Sequence, residues 1–218
     1  MATEHHIEVK RTARFHTYGN LTENTEHIIF AIHGYGELAG RFIRPFEKLD
    51  ADRFFVVAPE GLNRFYWHSS SRPPVATWMT STDRENEIKD YVNYLNQLYH
   101  KIMADVPANA NLKIHILGFS QGVATVTRWL ANGVVKADSL VLWAGKMAHD
   151  LDWQTAQPIF EAVDLHLVYG LQDKYLGYLD IDNYLKELNE KNLQPTITTF
   201  KGDHIIHLET LKALTASW

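Results

Sequence analysis

The sequence predicts an α/β fold, a mostly parallel, doubly wound sheet with helices on both faces. Three observations predict it. Five short runs are nearly all apolar instead of alternating, as strands covered on both faces must be. Most are followed closely by Gly or Pro, and stretches of helical periodicity lie between them. The composition, 45% hydrophobic and 22% charged over 218 residues, is that of an ordinary globular chain able to bury a full core. One domain over residues 1–218 is the expectation.

The elements follow in order. Ile7–Val9 and Arg14–Thr17 read as an antiparallel hairpin leading into the sheet. His27–Ile32 (HIIFAI) is the first buried strand, and a short helix is expected over Arg41–Leu49. Phe54–Ala58 (FFVVA) is the second strand. A helix begins near Thr82, where Glu85 three residues on completes a capping-box pattern. Its residues Ile88, Tyr91, Val92, Leu95, Leu98, Tyr99 and Ile102 share one face. Ile114–Leu117, Leu140–Trp143 and Leu165–Tyr169 are further buried strands. Thr196–Phe200 alternates in part, which suits a sheet edge. Helices are expected over Gln121–Ala131, Ile181–Asn189 and His207–Ala216. No repeat or interdomain linker interrupts the series.

Several functions are disfavoured. A net charge of −5 without a Lys/Arg-rich block argues against nucleic acid as a partner. The chain has no cysteine, which removes disulfides, thiolate catalysis and Cys-ligated metals. The amino-terminal residues are polar and charged, so no signal peptide is expected. No stretch approaches the roughly 20 apolar residues of a membrane span. A cytoplasmic protein without cofactor or metal is the expectation, and the sequence leaves its oligomeric state, monomer or homodimer, open.

The chemistry centres on Gly118-Phe119-Ser120-Gln121-Gly122, a Gly-x-Ser-x-Gly motif at the end of an apolar strand. A sharp strand-to-helix turn there would present the Ser120 hydroxyl as a nucleophile. Serine needs an adjacent base, normally a histidine oriented by a carboxylate. In this architecture acid and base follow the serine, each after a later strand. Asp173 follows Leu165–Tyr169 and His204 follows Thr196–Phe200, in the required order. Asp180 and Asp182 read instead as helix-start or solvent-facing residues, and Asp203 as a residue shaping the histidine's loop. His207 competes with His204, and the pair also reads as His-x-x-His, a metal pattern with no obvious third ligand. Oxyanion donors are expected from the backbone N–H groups of Gln121 and, in the glycine-rich turn His33-Gly34-Tyr35-Gly36-Glu37, of Tyr35.

Residues 60–81 contain Phe65, Tyr66, Trp67 and Trp78 beside a Pro-Pro pair, where a compact connection would suffice. A long aromatic segment of this kind is usually functional. It is expected to fold over the site, with Trp67 and Trp78 lining an acyl pocket opposite Trp143 and Met147. The same aromatics equally suit a staple to the core. Arg64 and Arg72 could meet an anionic head group or simply be solvated.

With these motifs in place the chain resembles the small α/β-hydrolases of the carboxylesterase, lysophospholipase and acyl-protein thioesterase group. The resemblance rests on His33-Gly34-x-Gly36, the Ser120 motif, Gly170-x-x-Asp173 and Phe200-x-Gly202-x-His204-x-Ile206-x-x-Glu209-x-Leu211. It implies an α/β-hydrolase fold, Ser120 as nucleophile, His204 as base, Asp173 as orienting acid, and Tyr35 and Gln121 as oxyanion hole. The closing pattern favours His204 over His207. Val123, Asp203 and Tyr169 depart from the group, which more often has Gly, Gly and His there. The chain is too short for a separate cap domain, so an open site taking carboxylic esters of short to medium acyl chains is expected. Lysophospholipids or acyl-thioesters are the alternatives, and a non-catalytic binding protein on the same fold is the rival class.

Overall fold

The computed structural model describes residues 1–67, 71, 73–107, 112–175 and 180–218. Its strands are β1 (Phe15–Tyr18), β2 (His27–Ile32), β3 (Phe54–Pro59), β4 (Asn63–Phe65), β5 (Val75–Thr77), β6 (Lys113–Phe119), β7 (Ser139–Trp143), β8 (Asp164–Gly170) and β9 (Thr196–Phe200). Its α-helices are α1 (Ala39–Phe42), α2 (Arg84–Ala104), α3 (Gln121–Asn132), α4 (Trp153–Glu161), α5 (Ile181–Asn189) and α6 (Leu208–Ala216), with a 3₁₀ turn over Phe46–Lys48.

Seven strands form one sheet in the order β1-β3-β2-β6-β7-β8-β9. All neighbours pair in parallel except β1, which runs antiparallel to β3. The continuous apolar runs are explained by the two cores they feed. Ile28, Phe30 and Ile32 of β2 pack with α2 and α3 residues such as Leu95 and Trp129. Ile29 and Ala31 face the other side, with Phe42, Phe46 and Leu211. Among the described residues no separate cap stands over the sheet.

At the amino ends of the strands, on the α6 side, lies a buried polar layer. His27 Nδ1 is 3.0 Å from His115 Nε2, and His115 Nδ1 is 2.7 Å from Ser139 Oγ. The Trp218 indole stacks on His115 with centroids 3.7 Å apart. Burial lowers the pKa of His27, and that of His115 to about 3.

The structure corrects several sequence expectations. Ile7–Val9 forms no strand; the first 14 residues are irregular, and Glu8 meets Lys89 of α2 at 3.2 Å. Only the second arm of the expected hairpin is a strand, and it pairs with β3, which would otherwise be the sheet edge. The helix expected over Arg41–Leu49 is split, because Pro45 has no N–H to continue it. No capping box opens α2: its N-cap is Asp83, with a left-handed φ of 54° and no side-chain cap. The carboxylate that takes Thr80 N–H (2.5 Å) is that of Glu87, which also accepts from Asn63 Nδ2. Helix α4 has no counterpart in the sequence reading, since Pro158 interrupts its pattern; Asp152 caps it by accepting from Gln154 N–H. The 60–81 segment, expected as a loop, contains the antiparallel hairpin β4–β5.

Candidate active site

Parallel strands bring the loops after β2, β6, β8 and β9 to one edge of the sheet, where open α/β sheets hold ligands. Ser120 follows β6 directly and is the N-cap of α3, with φ 54° and ψ −118°. A non-glycine residue there is strained, as a nucleophile elbow requires. The flanking glycines are dictated by space. A Cβ on Gly118 would lie 2.5 Å from Gly122 O, and one on Gly122 2.3 Å from Ile32 O. The Ser120 N–H donates to Trp143 O at 2.9 Å, fixing the elbow to β7.

The loops after β8 and β9 are laced together. Leu171 N–H donates to Phe200 O and Gln172 N–H to Gly202 O, at 2.8 and 2.9 Å. This brings Asp173 Oδ2 within 2.7 Å of His204 Nδ1. The Asp173 side chain is fully buried, and its Oδ1 accepts from Tyr175 N–H at 2.9 Å. A carboxylate only accepts, so Nδ1 carries the ring proton and Nε2 presents a lone pair. The His204 ring lies 4.7 Å from the rings of both Phe119 and Tyr175. Phe119 is the residue before Ser120, so the imidazole sits against the elbow.

The rivals are placed elsewhere. Asp180 is the N-cap of α5, and Asp182 lies in that helix's first turn. Asp203 Oδ1 accepts from His204 N–H at 2.8 Å and so shapes the loop. His207 is the N-cap of α6 and stacks on Phe200 at 4.9 Å.

The turn after β2 is held from several sides. His33 is wholly buried. Its Nε2 accepts from Gly61 N–H (3.0 Å) and its Nδ1–H donates to Gly34 O (2.7 Å). Burial pushes its pKa down to about 4, keeping the ring neutral. Gly36 N–H donates to Ala76 O, and Ala76 N–H to Glu37 O, so β5 braces the turn. Trp67 rests on Gly36, whose φ of +76° and contact with the indole leave no room for a Cβ. The rings of Tyr35 and Phe65 complete an aromatic cluster with Trp67. Among the described residues the Tyr35 and Gln121 N–H groups have no acceptor. At the start of α3 the Gln121 N–H also gains from the helix dipole.

The acyl-pocket expectation needs correction. Trp78 is 1% exposed; its Nε1–H donates to His33 O at 2.9 Å and its ring packs on His33 and Tyr91. Trp143 is fully buried and donates to Ile205 O, supporting the loop of His204. Met147 is buried in the α2–α3 core. Of the four expected pocket residues Trp67 alone is substantially exposed, at 49%. Arg64 pairs with the buried Glu60 at 2.7 Å, as does Arg14. Burial alone would raise the Glu60 pKa, but the two arginines hold it below the ordinary range. Arg72 lies outside the described residues.

Sequence reasoning missed two side chains. Gln121 accepts from Thr77 Oγ1–H and Trp78 N–H through Oε1, and donates to Met79 O through Nε2, tying α3 to the end of β5. Glu37 places a half-buried carboxylate beside the elbow, with Gly34 N–H donating to its Oε2 at 2.7 Å. A lone acidic residue closing a glycine-rich turn was the available signal for it.

Comparison with known proteins agrees with this architecture. No curated protein sequence matches the chain. Among solved structures, acyl-protein thioesterase 2 from Zea mays superposes with a TM-score of 0.67 at 17% identity, covering 94% of this chain and 99% of that one. The Bacillus cereus carboxylesterase gives 0.65 at 11% identity, over 94% and 92% of the two chains. Esterase PE8 gives 0.67 at 15% identity, over 95% and 98%. At these identities the likeness speaks for the fold. The phospholipase/carboxylesterase family model matches residues 18–217, nearly the whole chain, and the chain therefore belongs to that family of α/β-hydrolases, an enzyme of the phospholipase or carboxylesterase type.

Proposed function

We propose that the chain is a single-domain serine hydrolase that cleaves carboxylic esters of short to medium acyl chains through an acyl-enzyme. The observation that carries this is the contact of buried Asp173 with His204 at 2.7 Å, set against an elbow that strains Ser120 to φ 54°. His204 Nε2 takes the Ser120 proton as Oγ attacks the ester carbonyl carbon. The developing oxyanion is held by the Tyr35 and Gln121 N–H groups. Collapse of the tetrahedral intermediate expels the alcohol, which takes its proton from Nε2. Water then attacks the acyl-serine, again with His204 as base, and releases the acid. Asp173 keeps the imidazole in the correct tautomer throughout.

The experiment is Ser120→Ala assayed on p-nitrophenyl esters, with fluorophosphonate labelling of the parent enzyme. Hydrolysis and labelling should both disappear in the variant while its far-UV spectrum is unchanged. Full activity in the variant sinks the assignment. An intact protein that neither labels nor hydrolyses any ester would instead be a binding protein on this fold. The exposed Leu171, Tyr175 and Ile205 beside the acid and base loops favour a second reading, a longer chain as in a lysophospholipid or acyl-thioester. Specificity constants over a panel of alkyl esters, lysophospholipids and acyl-thioesters separate the two.

A further inference from the structure

The active centre holds a second carboxylate that the proposed mechanism does not use. Glu37 lies in the turn after β2, and its main-chain carbonyl is fixed by Ala76 N–H at 3.0 Å. Its Oε2 is occupied by Gly34 N–H. A Cβ built on Gly34 would stand 3.0 Å from this oxygen, 3.1 Å from Phe119 Cδ1 and 3.2 Å from Ser120 Cβ. The Glu37 carboxylate and the nucleophile's side chain thus border the same small volume, against the phenyl ring that supports His204. The other oxygen, Oε1, has no hydrogen-bond partner among the described residues and is not among the polar atoms sealed from solvent.

A carboxylate oxygen that is half desolvated and left unmatched favours a donor brought by a ligand. Burial already raises the Glu37 pKa, opposed by the Gly34 N–H and by the charge of His204, so this carboxylate gains from a further donor. Holding the turn needs only one oxygen, and Gly34 supplies that contact. We infer that Glu37 determines specificity: its Oε1 accepts a hydrogen bond from a donor group, such as a hydroxyl, carried by the substrate a few bonds from the scissile ester. The inference rests on the hydrolase reading above and narrows its substrate class from plain alkyl esters to esters bearing a donor. A site built to bond a substrate hydroxyl discriminates against the analogue lacking it, because the site's own polar atom is then left unpaired.

The test uses pairs of esters that differ by one donor. On the alcohol side, 2-hydroxyethyl butanoate is compared with propyl butanoate. On the acyl side, ethyl 3-hydroxybutanoate is compared with ethyl 3-methylbutanoate. The parent enzyme should prefer the hydroxyl member of at least one pair by about tenfold or more in kcat/KM, and the pair that responds tells which side of the ester the donor occupies. In Glu37→Gln the side-chain carbonyl can still accept from Gly34 N–H, while an NH₂ group takes the place of the free acceptor. The preference should then fall towards one, whatever happens to the absolute rates. Glu37→Met, near-isosteric and without an acceptor, should give the same collapse.

Equal rates within both pairs for the parent enzyme overturn the inference and leave the hydrolase reading intact. So does a preference that survives in Glu37→Gln, or variants that slow both members of a pair equally, which is the signature of a residue that only holds the turn. Should neither variant fold, the preference of the parent enzyme decides alone. Failure of the parent enzyme to hydrolyse any of the four esters or to react with a fluorophosphonate overturns both readings together.

Discussion

Two histidines three residues apart show how position assigns work to a side chain. His204 Nδ1 faces a buried carboxylate, whereas His207 Nδ1 accepts from Thr210 N–H at the start of α6. The first arrangement is that of the proposed base; the second caps a helix. His204→Ala is accordingly expected to lower kcat by about 10⁴-fold or more. His207→Ala should cost about 1 kcal/mol of stability, as loss of a helix cap does, and leave kcat within a small factor. Steady-state kinetics paired with urea melts on the two variants check this, and a reversal of the pattern would show the loop after β9 to be misassigned. The tryptophans divide in the same way. Trp78 fills the space between His33 and Tyr91 and is sealed from solvent. Trp78→Ala should therefore cost about 3–5 kcal/mol of stability, read as a shift in urea midpoint.

The β4–β5 hairpin is the element whose role was least legible in the sequence. It joins the turn after β2 through the Gly36–Ala76 and Ala76–Glu37 hydrogen bonds, and it lays Trp67 across Gly36. The hairpin thus fixes the backbone that carries the Tyr35 N–H. Displacing this proposed oxyanion donor would be expensive, since errors of about 1 Å in a catalytic geometry cost up to about a hundredfold in rate. Trp67→Ala is expected to lower kcat/KM between about tenfold and a hundredfold. Its melting temperature should move little, because the indole is half exposed. Kinetics and thermal melts of one preparation test both halves, and unchanged kinetics would show that the hydrogen bonds to β5 brace the turn alone.

At the scale of the whole molecule, buried neutral histidines set the response to acid. His33 and His115 have folded pKa values of about 4 and about 3, and that of His27 is also lowered. An unfolded histidine titrates near 6.5. Below that pH the unfolded chain binds more protons than the folded one. The stability these residues contribute is therefore complete above pH 6.5 or so and is lost as pH falls towards the folded values, at up to about 1.4 kcal/mol per pH unit for each histidine. The urea midpoint should be flat near pH 7–8 and fall steadily below about 6.5. His115→Gln should flatten that slope, and a midpoint unchanged down to pH 4.5 would contradict the burial of these rings as neutral groups.

The fold was legible where sequence pattern and burial coincide. Runs such as HIIFAI are apolar on both faces because α2 and α3 cover one side of β2 while α1 and α6 cover the other. Order along the chain singled out Ser120, Asp173 and His204 as candidates, and in a parallel sheet successive strand ends converge on one edge. What the sequence hid was decided by long-range partners. Ile7–Val9 has the residues of a strand but no neighbour to pair with, and α4 forms despite Pro158. Trp78 and Trp143 looked available to a ligand, yet each indole N–H is spent on a main-chain carbonyl, of His33 and Ile205. The Glu37 carboxylate could not be placed at the elbow until the turn that carries it was seen folded.

The lacing of the β8 and β9 loops has a consequence for how this protein can be taken apart. Asp173 and His204 are brought together by bonds between their own loops and by the β8–β9 register. The chain between them includes the turn around Asn192, whose φ is 58° and whose side chain is exposed. A break there leaves Asp173 and Ser120, the proposed acid and nucleophile, on one fragment and His204, the proposed base, on the other. Expressed separately, residues 1–191 and 192–218 should each be inactive. Mixed, the two pieces should recover ester hydrolysis as β9 docks on β8, which would make this edge of the sheet a natural seam for a split enzyme.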